Sequence, residues 1–188
     1  MSHLWHLVNS KAGYTHPFFK VQEDHVRLPD DSEIPDYTIW DNADVAQVVP
    51  VNKNGELLLV QQYKHGVENV MIEFPGGFLE PQEVPEAAAK RELAEETGYG
   101  SNSFKKLGTF IHHPSKERGK LHLFLAKDIQ VTDSKHQPDA TEFIELVFFK
   151  PKEILDLLQQ GKVLQTGTML GVLLYLKEQH GIICSFAN

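Results

Sequence analysis

Cysteine is almost missing from this chain of 188 residues, which has one, Cys184, near its C-terminus. A single thiol cannot build an intrachain disulfide framework, and its scarcity points to a reducing, cytoplasmic setting. Cys184 itself reads as an inert small hydrophobe. Long apolar runs are also lacking: "LVFF" and "GVLLYL" fall far short of the roughly 20 residues a bilayer span requires. The opening "MSHLWHLVNSKAGY" has neither the basic region nor the apolar stretch of a signal peptide. Positive charge is in deficit, with 18 basic against 26 acidic residues and a net charge of −8. That balance excludes a general electrostatic attraction to nucleic acid. It also means that a phosphate-bearing ligand needs something other than bulk charge to offset repulsion, and a divalent cation is the obvious agent.

What is present is a globular composition, 41% hydrophobic and 10% aromatic, sufficient for one well-buried domain with a small appendage. Repeats, low-complexity tracts and long linkers are absent. Strand signals fall at "FFKVQEDHVRL", "YTIW", "VAQVVPV", "LLLVQQY", "KKLGTFI", "LHLFLAKDI" and "FIELVFF". "NKNGE" reads as a hairpin turn, because Asn54-Gly55 readily takes positive φ. "VTDSKHQPDATE" reads as a polar loop between two late strands. Helices are expected from Pro85 to Thr97, over "PKEILDLLQQG" and over "TGTMLGVLLYLKEQHG", the last two closed by Gly161 and Gly181. Strands, one central helix, more strands and two helices make an α+β pattern, a mixed sheet covered by helices. Residues 1–42 form a small antiparallel lead-in and 43–188 the main domain.

The central helix carries a local conflict. Glu92, Glu95 and Glu96 crowd its last turn, the negative end of the helix dipole, where each carboxylate costs roughly 0.3–1 kcal/mol. Glu92 and Glu96 are also a like-charge i,i+4 pair. At about 100° per residue, Glu96 lies about 40° to one side of Glu92 and Glu95 about 60° to the other, so all three share one face. Arg91 stands i,i+4 to Glu95, an ion-pair spacing. A solvated acidic face fits this poorly, because the acids sit where the dipole penalises them. Hard oxygen donors on one face are what Mg²⁺ or Mn²⁺ requires. Just upstream, the paired glycines of Pro75-Gly76-Gly77 either make an ordinary tight turn or let backbone carbonyls approach a ligand.

The stretch from Gly77 through Glu83 to "RELAEETGY" matches G-x5-E-x7-R-E-U-x-E-E-x-G-U, so the chain resembles the Nudix hydrolases. Every fixed position is met, and Tyr99 takes the last bulky one. Val84, at the N-cap, is the one locally poor choice, costing about 1 kcal/mol against Ser, Thr or Asp. The resemblance implies the Nudix fold, a mixed sheet between helices (α/β/α). It also implies cleavage by water of a diphosphate linking a nucleoside to another moiety, with divalent cations (Mg²⁺ or Mn²⁺) neutralising the developing charge and acidifying the water. On that resemblance Glu92 and Glu96 are metal ligands with the carbonyl of Gly76. Glu95 and Arg91 orient the cluster, and Gly77 and Glu83 support it. The family's general base varies, and here the late loop offers Glu142 first and Glu145 second. Strand alternation puts the two glutamates on opposite faces, so only one can point into a shared site.

"VRLPDDSEIPDY", "VVPVNKNGELLLVQQYKHG", "IEFPGGFLEPQE" and "GKVLQTGTMLGVLLYL" extend the likeness, over most of residues 18–180, to the ADP-ribose pyrophosphatase and nucleotide-sugar hydrolase branch. Pro114, 16 residues after Gly98, falls near a proline typical of that branch. Two departures stand out. The segment after Pro114 is short, with Glu117 as its only acid, which weakens ADP-ribose relative to GDP-mannose and other nucleotide sugars. Lys64 replaces the usual arginine after Gln62-Tyr63, keeping the charge for a phosphate but losing the fork. Phe18, Tyr37 and Trp40 are candidates for stacking on a nucleobase, and Phe78 for a further substrate contact. Related enzymes often use such aromatics across a homodimer. His112-His113 lacks metal-ligand spacing. A non-catalytic ligand-sensing domain is disfavoured by the intact glutamates, and an RNA 5′-end hydrolase by the negative charge.

Overall fold

A computed structural model describes residues 3–16, 19–132, 143–162 and 165–180. Its contacts divide the chain into two units, Met1–Asp44 with Ile111–Lys120, and Val45–Phe110 with Leu121–Asn188.

The first unit is built on an antiparallel sheet, β1 (His6–His16), β2 (Phe19–Arg27) and β3 (Glu33–Asn42), in that order. β1 is exposed along all but its last residue. It has no buried face, hence no period-2 signal from which a strand could be read. The β2–β3 turn closes through Leu28 N–H to Ser32 O (2.8 Å), with Asp31 in the left-handed region at φ 65°. Residues 111–120 are tied to β3 by backbone bonds from Trp40 N–H to Lys116 O (2.6 Å) and from Arg118 N–H to Trp40 O (3.0 Å).

The second unit holds β4 (Val45–Pro50), β5 (Leu57–Lys64), β6 (Asn69–Glu73), β7 (Gly76–Phe78), α1 (Pro85–Thr97), β8 (Tyr99–Gly100), β9 (Ser103–Ile111), β10 (Lys120–Lys127), β11 (Gln130–Val131), β12 (Glu145–Phe149), α2 (Pro151–Gln159) and α3 (Thr166–His180). Among the described residues the sheets run β7-β4-β10-β9, β12-β5-β6 and β11-β8. β4 and β10 are parallel, while β4–β7, β5–β6 and β5–β12 are antiparallel, which makes the architecture mixed.

Strand alternation divides the core in two. Ala46, Val48, Leu58, Phe124 and Ala126 face Ala88, Ala89 and Leu93 of α1. Val49, Leu57, Leu59, Leu123 and Leu125 face Ile154 of α2 and Val172 and Tyr175 of α3. A sheet buried on both faces between helices is the expected α/β/α sandwich. Leu93 is fully buried, so truncating it to alanine costs about 2–5 kcal/mol.

One turn differs from expectation. Only Gly55 of "NKNGE" takes positive φ (78°), and the turn is organised by Asn52, whose Oδ1 accepts from Asn54 N–H (2.9 Å) and Glu56 N–H (3.0 Å). A single Val51↔Leu57 bridge follows, and β4 and β5 then pair in different sheets. The turn is a corner between sheets, not the tip of a long hairpin.

α3 anchors the strand end that leads to the glycine pair. Gly167 and Gly171 let it approach closely, since a Cβ on Gly171 would stand 2.8 Å from the Phe74 ring and 2.9 Å from Val49. Thr168, fully buried, accepts from Phe74 N–H at Oγ1 (3.0 Å), and Gln47 Nε2 donates to Phe74 O (3.0 Å). Both backbone groups of Phe74 are thus satisfied by side chains, which holds Pro75-Gly76 in place.

Candidate active site

α1 starts at Pro85, whose missing N–H costs nothing in the first turn, and ends at Gly98 in the left-handed conformation (φ 73°, ψ 8°), whose N–H donates to Ala94 O. Val84 is the N-cap and makes no side-chain capping bond. The helix buries Ala88, Ala89 and Leu93 and turns Arg91, Glu92 and Glu95 away from that core.

Arg91 organises this outer face. Its Nε and Nη2 donate to the two oxygens of Glu83, both at 3.0 Å. Nη1 donates to Glu92 Oε1 (2.8 Å) and Glu95 Oε2 (3.0 Å), and Nη2 also reaches Phe78 O (3.1 Å). Those bonds use all five N–H groups of a guanidinium. The bidentate bond from Arg91 holds the Glu83 carboxyl below the usual glutamate range against the opposing effect of burial. Glu83, chiefly, and then the charge of Glu92 raise the Arg91 pKa further.

Glu96, almost fully buried, accepts from Gly76 N–H (3.0 Å). β7 pairs with β4 so that Gly76 lies opposite Gln47 and Gly77 opposite Ala46. A Cβ on Gly76 would stand 2.7 Å from Gln47 Cα, and one on Gly77 would enter the Glu92 carboxylate. Only glycine fits at Gly76, because the backbone of β4 leaves no room for a side chain, whereas a side chain at Gly77 would have to displace the Glu92 carboxylate. The glycine pair is therefore a short strand laid under the acidic face, where the sequence offered an ordinary tight turn as the other reading.

The carboxylates of Glu92 and Glu96 are hard oxygen donors of the kind a divalent ion takes. Glu92 already engages Arg91 and Glu96 engages Gly76. Among the described residues no three His, Cys, Asp or Glu side chains close into a cage.

The other candidates lie as follows. Lys64 binds Glu73 Oε1 at 2.7 Å, and Gln62 Nε2 donates to the same oxygen at 3.1 Å, so its ammonium is engaged by a buried carboxylate. Phe78 is 46% exposed. Tyr37 and Trp40 belong to the first unit; Lys116 Nζ stands 3.8 Å over the Tyr37 ring, and Trp40 is 46% exposed beside His113. Glu145 is exposed on β12 opposite Gln61. Glu142 and Phe18 lie outside the described residues. Sequence reasoning missed Glu73, Thr168 and Gln47. Glu73 could have been found as an acid inside a β-rich run, "NVMIEF", that leads through Pro75 into the glycine pair.

Residues 41–166 match the NUDIX domain and residues 5–40 the nucleoside diphosphate sugar hydrolase N-terminal domain. The chain belongs to the NUDIX family and is a Nudix hydrolase, and members of that family generally need divalent metal ions. It is 33% identical to an ADP-ribose pyrophosphatase of Bacillus subtilis (strain 168), over 70% of this chain and 71% of that protein. A methanol dehydrogenase activator of Bacillus methanolicus is 29% identical over 87% of each chain. An ADP compounds hydrolase crystal structure superposes with a TM-score of 0.80 at 22% identity, covering 95% of this chain and 97% of the other, which supports the same fold.

Proposed function

We propose that the chain is a Mg²⁺- or Mn²⁺-dependent pyrophosphohydrolase that cleaves ADP-ribose, or a related nucleoside diphosphate sugar, to a nucleoside monophosphate and a sugar phosphate. The observation that carries this reading is the saturated Arg91 guanidinium, which gathers Glu83, Glu92, Glu95 and the Phe78 carbonyl onto one face of α1. A structural acidic face has no need of such convergence, and a metal-assisted diphosphate hydrolase does.

In this reading Glu92 and Glu96 would hold the ion with Gly76 O. When bound, the ion supplies neutralisation of diphosphate charge and a lower pKa for the attacking water. Arg91 is a positioning residue: with every N–H committed, it sets the carboxylates of Glu92 and Glu95 and leaves none for substrate. Glu83 fixes Arg91 in turn. Glu142 takes the proton from water, and Phe78 flanks the substrate. Lys64 exchanges Glu73 for a substrate phosphate. Phe18, Tyr37 and Trp40 stack on the base, which the family often achieves with two copies, so the working form is a cytoplasmic homodimer.

The test is a substrate screen with Mg²⁺ or Mn²⁺ over ADP-ribose, GDP-mannose, UDP-glucose, NADH and diadenosine polyphosphates, with product identification. AMP plus ribose 5-phosphate is the expected product pair. GMP plus mannose 1-phosphate as the preferred pair would move the chain to GDP-mannose, and no hydrolysis of any of them would sink the proposal.

A further inference from the structure

We infer that the second unit carries another ligand site, separate from the Arg91 cluster, that binds a phosphorylated pentose. Three segments line an open cavity of about 570 Å³: the β4–β5 corner at Lys53, the β8–β9 loop over 100–103, and 127–132 at the bend from β10 to β11. That size matches small-molecule sites, and none of the lining residues belongs to the acidic face of α1.

The walls are pinned by side chains that are themselves used up. Ser101 Oγ donates to Lys127 O and accepts from Ser103 N–H (2.9 Å). Thr132 donates to Gly98 O through both N–H (2.9 Å) and Oγ1 (3.2 Å), and Ile129 N–H reaches Val51 O (3.1 Å). Asp128 makes the bend in the left-handed region, φ 54°.

The chemistry of the cavity lies in the groups these bonds do not use. Among the described residues, Lys53 and Lys127 make no ion pair. The carboxylate of Glu178, which feels Lys127, is held by Lys105 at 2.7 and 2.8 Å. On a chain of net charge −8, two lysines that make no ion pair line this cavity with a single carboxylate, Asp128, and their excess of positive charge forms a local anion site. Asn102 and Gln130 add neutral amide donors and acceptors, and Asp128 adds an acceptor for hydroxyls. Two ammonium groups suit one phosphate, while the carboxylate of Asp128 repels a polyphosphate and rewards a vicinal diol. A ribose 5-phosphate moiety, free or within a nucleoside monophosphate, has that combination.

The site is tested on the full chain without added metal, so that no turnover contributes, by ¹H–¹⁵N NMR titration with ribose 5-phosphate, AMP, inorganic phosphate and ribose. Saturable shifts are expected at the amides of 100–103 and 127–132 with ribose 5-phosphate or AMP. The tighter of the two identifies the source as free sugar phosphate or nucleotide. Lys53→Gln with Lys127→Gln should weaken that binding by about tenfold or more, as expected for loss of charge-assisted bonds. Shifts confined to Gly76–Phe78, affinity unchanged in the double variant, or phosphate binding as tightly as ribose 5-phosphate would each overturn the assignment.

Discussion

The acidic face of α1 and the N-terminal sheet are both rich in charge, yet they are held in opposite ways. On α1 one half-buried guanidinium meets three carboxylates and a carbonyl within 2.8–3.1 Å. On the sheet most pairs are local and largely exposed: Lys11 with Glu23 at 3.3 Å, and Arg27 and His25 with Glu33 at 2.9 and 2.8 Å, while the buried Asp24 is the exception, paired with Arg118 at 3.0 Å. Exposed pairs contribute about 0–1 kcal/mol each, because water and salt screen them and two long side chains must be ordered. The α1 cluster instead concentrates negative charge at the unfavourable end of a helix, with a single cation inside it. Where charges are distributed in pairs they decorate a surface. Where three acids share one arginine, negative charge is left in excess on one face of the helix.

The largest expected effects follow from removing the acids. Glu92→Gln or Glu96→Gln should lower turnover by several orders of magnitude while circular dichroism and the melting temperature stay near wild type, since each amide keeps the size and acceptor oxygen of the acid. Near-wild-type activity with Mg²⁺ would dissolve the contrast between the two regions. Next comes Arg91→Lys. It keeps the charge but cannot serve four partners, so it should destabilise the fold by about 2–3 kcal/mol and reduce kcat with it. Added Mg²⁺ should recover part of the lost melting temperature, because the freed carboxylates then bind an ion more strongly. A surface role for Arg91 would instead give a small loss indifferent to Mg²⁺.

The sequence made the α1 face legible because every device in it is local. Pro85, the Ala88-Ala89-Leu93 core face, the i,i+4 spacing of Arg91 and Glu95, and Gly98 as cap all act within one helix, and the helix runs over Pro85–Thr97 as expected. Features that depend on tertiary approach were not legible. Gly76-Gly77 reads either as a turn or as a close approach to a ligand until β4 and α1 are in place, and only then does the absence of a Cβ at Gly76 become a requirement. Thr168 looks like a helix residue among others, yet it satisfies Phe74 from 94 positions away. β1 escaped notice because an edge strand exposed on both faces carries no hydrophobic alternation. The corner at Asn52 looked like a hairpin because a turn motif specifies the reversal and not the sheets its arms join.

Acid titration separates the two regions further, through Glu83 and Glu33. Both carboxyls are held below the ordinary glutamate range, chiefly by an arginine: Arg91 for Glu83 and Arg27, aided by His25, for Glu33. For a depressed folded value, the unfolded chain binds more protons in the interval between the two values, so stability rises with pH there. The contribution is complete above the ordinary glutamate value and is lost as pH falls through the lower folded one. Glu83→Gln should therefore flatten the acid limb of stability, measured by urea unfolding as pH falls below the ordinary glutamate value. Adding 1 M NaCl should change its wild-type counterpart little, since the pair is bidentate and partly desolvated.

The smallest effect belongs to Glu33, which is solvated. Its pair is open to water and counterions, so Glu33→Gln should barely alter stability at low salt, and even less in 1 M NaCl. If Glu33→Gln flattened the acid limb as much as Glu83→Gln, the sheet pairs would be structural anchors. The distinction between a decorated surface and a charge cluster awaiting an ion would then have to rest on the metal response of Arg91→Lys alone.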